Sequence, residues 1–136
     1  MSLVLDCSVT MEWCFEDEAS EYGDRVLSEL AEQDALVPSI WPLEIGNVLV
    51  MAERRQRLKS GESSRFLELV RGLPIYVEDV SLSRATGEVL SVAREYELSV
   101  YDAAYLELAM RAGAALATRD HALIAAADNA GVRRFE

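Results

Sequence analysis

Short, unbroken apolar runs alternate along this chain with longer segments whose apolar residues recur every three or four positions. The first run, Leu3-Val4-Leu5, contains no polar residue, the signature of a strand buried on both faces. Ser8 and Thr10 are placed to cap a short helix carrying Met11, Trp13, Cys14 and Phe15. Glu16-Asp17-Glu18 marks the start of a second helix, because acids favour the first turn; its apolar face is Tyr22, Val26, Leu27 and Leu30. Ala35-Leu36-Val37 is a second strand, stopped by Pro38. Residues 39–57 form one long helix with Ile45, Val48, Leu49 and Ala52 on a single face, broken by Ser60-Gly61.

Residues 62–71 form a fourth helix around Phe66, Leu69 and Val70, ended by Gly72 and Pro74. Ile75-Tyr76-Val77 is a third strand. Ser81 or Ser83 caps a helix with Ala85, Val89, Val92, Ala93 and Tyr96 on one side. Asp102 takes the N-cap position of the next, which runs to about Ala112 and stops at Gly113. Residues 114–118 are a fourth strand, 121–129 an Ala-rich helix ended by Gly131, and 132–135 an edge strand. Strands alternating with helices predict an α/β fold: a mostly parallel central sheet of 4–5 short strands with helices on both faces, in a single domain over residues 1–136.

Composition narrows the function. With 51% apolar and 27% charged residues in 136, the chain has globular composition and length for a sizeable core. No apolar run approaches the roughly 18 residues of a membrane span, and no basic-then-apolar leader opens the chain, so a cytoplasmic protein is expected. Cys7 and Cys14 are the only cysteines and provide neither a zinc framework nor a disulfide scaffold. The net charge of −11 opposes a nucleic-acid partner, unless some of the acids hold cations and so reverse the local sign.

Four acids have the addresses that a metal site needs. Asp6 follows the first strand, Glu44 lies one turn into a helix, Asp102 sits where a loop turns into a helix, and Asp120 lies just past the fourth strand. Acids at such ends collect on one edge of an α/β sheet. Each has an ordinary reading alone: a helix cap, a solvated helix residue, a loop acid. Together they would repel one another unless a cation neutralised them. Carboxylate oxygens suit Mg²⁺ or Mn²⁺, and such ions cleave phosphodiesters with no protein nucleophile. Ser8, Asn47 and Thr118, each two or three residues from an acid, either support it by hydrogen bonding or serve as caps and polar helix face. His121 reads as a surface residue at a helix start. A receiver-like or dehalogenase-like phosphotransfer domain is disfavoured: the single lysine, Lys59, falls in a helix-terminal basic run, and Ser8 stands where the dehalogenase pattern wants a second aspartate.

Leu5-Asp6-Cys7-Ser8-Val9, the segment from Val37 to Leu49, Leu98-Ser99-Val100-Tyr101-Asp102-Ala103-Ala104-Tyr105 and Leu116-Ala117-Thr118-Arg119-Asp120 occur in an order and spacing that resembles PIN-domain proteins, in particular the VapC-type toxins of bacterial toxin–antitoxin pairs. The resemblance implies a PIN fold, a Mg²⁺- or Mn²⁺-dependent endoribonuclease, a homodimer, and inhibition by a small antitoxin. It assigns metal binding and catalysis to Asp6, Glu44, Asp102 and Asp120, and the small polar positions to Ser8, Asn47 and Thr118. Asp128, eight positions beyond Asp120, reads as a surface acid. Substrate phosphates would be steered by Arg54, Arg55, Arg57, Lys59 and Arg119; the alternative is a solvated basic helix end. Trp13, Phe15 and Trp41 are candidates for an antitoxin or dimer groove, with core packing as the rival. Alternative functions are a non-enzymatic PIN-like RNA- or protein-binding module and a PIN nuclease of RNA processing.

Overall fold

The computed structural model describes residues 2–136. Four strands, β1 (Ser2–Leu5), β2 (Asp34–Pro38), β3 (Ile75–Glu78) and β4 (Ala115–Ala117), form an all-parallel sheet in the order β3-β2-β1-β4. The chain runs outward from β1 to β3, then crosses over to place β4 on the other side of β1. The order therefore reverses between β1 and β4, and in open α/β sheets the crevice at such a reversal holds the site. Leu3, Val4 and Leu5 are fully buried, as their unbroken apolar run requires, whereas β3 is an edge with Tyr76 and Val77 exposed.

Among the described residues eight α-helices flank the sheet: α1 (Cys7–Met11), α2 (Glu21–Glu29), α3 (Ile40–Arg54), α4 (Ser60–Arg71), α5 (Leu82–Thr86), α6 (Glu88–Tyr96), α7 (Val100–Ala112) and α8 (His121–Ala130). α7 packs against β1, β2 and β4 and buries Ala103, Tyr105, Leu106, Leu108 and Ala109. Its one buried charge, Glu107, accepts from Arg84 on α5 (3.3 Å) and from Arg111 one turn on (3.0 Å). Among the described residues no helix is long and apolar enough to cross a membrane.

Several boundaries differ from those expected. Asp6, not Ser8 or Thr10, occupies the N-cap position of α1, and α1 ends at Met11, before Trp13, Cys14 and Phe15. Residues 16–18 form a separate 3-10 turn; α2 starts later because Ser20 accepts from the Gly23 N–H (3.0 Å) and caps it. α3 ends at Arg54, since Gln56 turns left-handed (φ 61°), and Ser60-Gly61 opens α4 instead of breaking α3. The helix expected after Ser81 is two helices. They part at Gly87 (φ −111°, ψ −96°), where a Cβ would lie 2.7 Å from the Ser83 carbonyl oxygen. Ser99, not Asp102, caps α7, and its Oγ accepts from the Asp102 N–H (3.1 Å). Residues 132–135 do not form a strand; one bridge joins Arg134 to Leu116.

Candidate active site

Asp6 stands at the reversal point itself. Its N–H donates to the Ala117 carbonyl (3.0 Å), which joins the tips of β1 and β4. Its Oδ2 accepts from Ser8 Oγ (2.8 Å) and from Thr118 Oγ1 (2.7 Å). Thr118 Oγ1 in turn accepts from the Asp120 N–H (3.1 Å), so one hydroxyl fixes the β4–α8 loop to the buried carboxylate. Asp120 caps α8, its Oδ2 accepting from the Leu123 N–H (2.9 Å). Glu44 reaches in from α3, and its Oε1 accepts from the hydroxyl of Tyr105 on α7. Asp102 and Tyr105 are three apart and share a helix face. All four acids line one open cleft of about 440 Å³, together with Ser8, Asn47 and an apolar wall of Met11, Phe15 and Val48.

The electrostatics express this crowding. Burial pushes the Asp6 carboxyl above its usual range; the Thr118 and Ser8 hydroxyls oppose that, and the Asp120 charge adds to it. Glu44 is raised by burial, opposed by the Tyr105 hydrogen bond and reinforced by Asp6 and Asp102. Asp102 is raised by burial and by the charges of Asp120 and Asp6. Each shift means that the ionised form lacks compensation, which a cation supplies. The donors are all oxygen, the set that fits a hard divalent ion. Among the described residues no three of them already meet as an ion cage; Asp6, Glu44 and Asp120 each commit one oxygen to protein donors. The buried Cys7 thiol, on the same wall, is pushed up to about 12 by burial and by Glu44 and Asp6, which removes it as a nucleophile.

Of the basic run, Arg57 alone lines this cleft. Its guanidinium pairs with Asp17 and Glu18 (both 2.9 Å) and lies 4.0 Å above the Phe15 ring. Arg54, Arg55 and Lys59 lie outside the cleft lining, and Arg119 turns away to Glu12 (3.3 Å). Trp13 donates to the Gly23 carbonyl (2.9 Å) and packs on the core. Trp41 is buried, its indole N–H unpartnered. Phe15 is the buried aromatic at the cleft edge. Asp128 pairs with Arg134 (2.9 Å) on the surface. His121 faces a different hollow. Tyr105 joins the site through its bond to Glu44, a role that its place in the sequence does not mark. Its signal was a phenol on the buried face of a helix, a group that requires a hydrogen-bond partner.

The PIN domain family matches residues 3–129 of the chain. Over 123 residues the chain is 30% identical to Ribonuclease VapC3 of Pyrobaculum aerophilum, covering 90% of this chain and 92% of that protein. The crystal structure of PAE2754 from the same organism superposes with a TM-score of 0.70 at 26% identity, covering 93% of this chain and 84% of that one. VapBC2 from Rickettsia felis, bound to a DNA fragment from their promoter, superposes with a TM-score of 0.70 over 99% of this chain and 98% of that one; at 13% identity this is a likeness of fold. The match runs from the first strand to the last helix and takes in every acid of the cleft, and the chain belongs to the PIN domain family.

Proposed function

We propose that this protein is a Mg²⁺- or Mn²⁺-dependent endoribonuclease and the toxin of a toxin–antitoxin pair, its residues 1–136 forming one catalytic unit. The observation that carries the reading is Asp6, held between the Ser8 and Thr118 hydroxyls at the β1–β4 reversal, with Glu44, Asp102 and Asp120 in the same cleft. The ribonuclease relative supports the substrate class.

When bound, a divalent cation supplies charge neutralisation at the scissile phosphate and a water acidic enough to attack it near neutral pH. The chain's own residues do the rest. Asp6, Glu44, Asp102 and Asp120 present the oxygens that would hold the ion. Ser8 and Thr118 fix the Asp6 carboxylate, and Tyr105 fixes Glu44. Asn47, lining the cleft, offers a donor and an acceptor to water or substrate. Burial and the neighbouring acids keep the Cys7 thiol protonated, so it is not poised as a nucleophile. Arg57 at the rim is the cation nearest the path of a substrate, and Arg54, Arg55 and Lys59 extend that positive surface. A small antitoxin and a second copy of the chain are the partners this reading entails, in the cytoplasm.

The test is cleavage of a total RNA pool by purified protein with Mg²⁺, with Mn²⁺ and with EDTA, beside Asp6→Asn. Metal-dependent cutting that disappears in the variant is the expected outcome. Equal behaviour of the two proteins overturns the reading in favour of a non-enzymatic binding module.

A further inference from the structure

Across the β4–α8 loop from the acid cleft lies a second hollow, of about 600 Å³. Its basic walls are Arg25 from α2, Arg119 from the loop and Arg134 near the C-terminus, with His121 from the start of α8 beside them; Glu21 is the one acid of its lining. Three guanidiniums gathered around one hollow are a marked departure in a chain of net charge −11. The hollow and the cleft share a wall. Thr118 and Arg119 face the hollow and Asp120 the cleft, while Thr118 bonds Asp6. A strand lying over the acids therefore crosses only this loop before it meets the arginines.

Two of the guanidiniums, those of Arg25 and Arg134, are available; Arg119 is held by Glu12 (3.3 Å). Among the described residues Arg25 has no acid within ion-pair distance and leans on the Tyr22 ring, 5.7 Å from its centroid. Tyr22 is itself fixed by donation to the Phe135 carbonyl (2.8 Å). Arg134 pairs with Asp128 (2.9 Å) and Glu136 (3.6 Å), both well exposed. Pairs of that kind contribute little and exchange readily for a stronger anion. Guanidinium forks match phosphate geometry, and a polyanion approaching an acidic protein needs a local positive pole.

We propose that this hollow is a phosphate subsite that grips the RNA backbone beside the scissile link. The proposal rests on the ribonuclease reading above. It gives an acidic protein a second grip on RNA beyond the Arg57 rim: the scissile phosphate meets acids that need a cation, and a neighbouring phosphate meets arginines directly.

The experiment measures binding of a fluorescein-labelled single-stranded RNA to the Asp6→Asn protein in Mg²⁺ across a salt series. Arg25→Gln, Arg134→Gln and a control, Arg94→Gln on α6, are introduced on that background, and wild-type cleavage is assayed in parallel. Arg25 is exposed on its helix, so its loss does not threaten folding. Arg25→Gln and Arg134→Gln are expected to weaken binding about tenfold and to flatten the log–log salt slope by about 0.7 for each phosphate no longer neutralised, with the control unchanged. If wild type cleaves RNA while both variants keep parental affinity and slope, the subsite is wrong and the nuclease stands. If wild type neither cleaves nor binds RNA, both readings fall. A poly-glutamate peptide that binds in an Arg25-dependent way, with RNA indifferent to Arg25, overturns the proposal in favour of an acidic protein partner.

Discussion

The phenol of Tyr105 donates its hydrogen bond to Glu44 and so joins α7 to α3 at the floor of the acid cleft. Tyr105 is completely buried, and its partner faces the cleft. The tyrosine is thereby a positioning residue: it holds a proposed ligand without touching substrate. Removing such a partner typically costs about 10- to 100-fold in metal affinity. Tyr105→Phe is therefore expected to weaken Mn²⁺ binding about tenfold by calorimetry, with a stability loss of about 1 kcal/mol. In a Glu44→Gln background the same change should have no further effect on Mn²⁺ binding. An equal loss in both backgrounds would show that Tyr105 acts on the fold at large.

Thr118 makes two bonds with one oxygen, donating to Asp6 and accepting from the Asp120 N–H. Thr118→Val keeps the shape, strands the Asp120 N–H and leaves Asp6 with Ser8 alone. The expected cost is about 1–3 kcal/mol in denaturant unfolding, together with a large loss of activity. Thr118→Ser, which keeps the hydroxyl, should restore most of both. If valine and serine behave alike, the methyl and not the hydroxyl matters.

The raised carboxyls of Asp6, Glu44 and Asp102 bear on stability against pH. A carboxyl that titrates higher folded than unfolded contributes stability below its unfolded pKa, and that contribution is lost as pH rises through the folded value. In EDTA these three groups therefore weaken the protein progressively from about pH 4 upward. Asp102→Asn is expected to raise the melting temperature in EDTA at neutral pH, and added Mg²⁺ should stabilise wild type more than the variant. A variant that melts lower than wild type in EDTA would contradict this.

Glu107 is buried on α7 and ties Arg84 of α5 to Arg111. Glu107→Gln leaves Arg84 without its anion and Arg111 with only the longer pair to Glu78 (3.9 Å). Because hydrogen bonds to charged groups contribute about 1.5–3 kcal/mol, the loss should be about 2 kcal/mol. Hydrogen exchange should show it first as faster opening of α5. Unchanged protection there would mean that the ion pairs are incidental.

Local rules reached far along this chain because they act over three or four residues. The glycines at 113 and 131 end α7 and α8 in the left-handed conformation (φ 62° and 73°), as their positions foretold. The same rules misplaced the start of α2, because an acidic run and a capping serine are both good beginnings, and Ser20 makes the actual bond. They missed the break at Gly87 because the apolar spacing continues across it, and only a backbone turning hard against Ser83 demands a glycine there.

The strand–helix alternation, the burial of β1 and the placing of acids at element ends were already legible along the chain, since each depends on the order of neighbouring residues. Which of those residues meet emerges only from the folded packing. Glu44 and Tyr105 are 61 positions apart and Asp6 and Thr118 are 112. The arginine hollow draws on α2, the β4–α8 loop and the C-terminal segment. Such meetings follow from how the crossover sets β4 beside β1 and from the packing of buried helices, and no periodicity within a single segment encodes them.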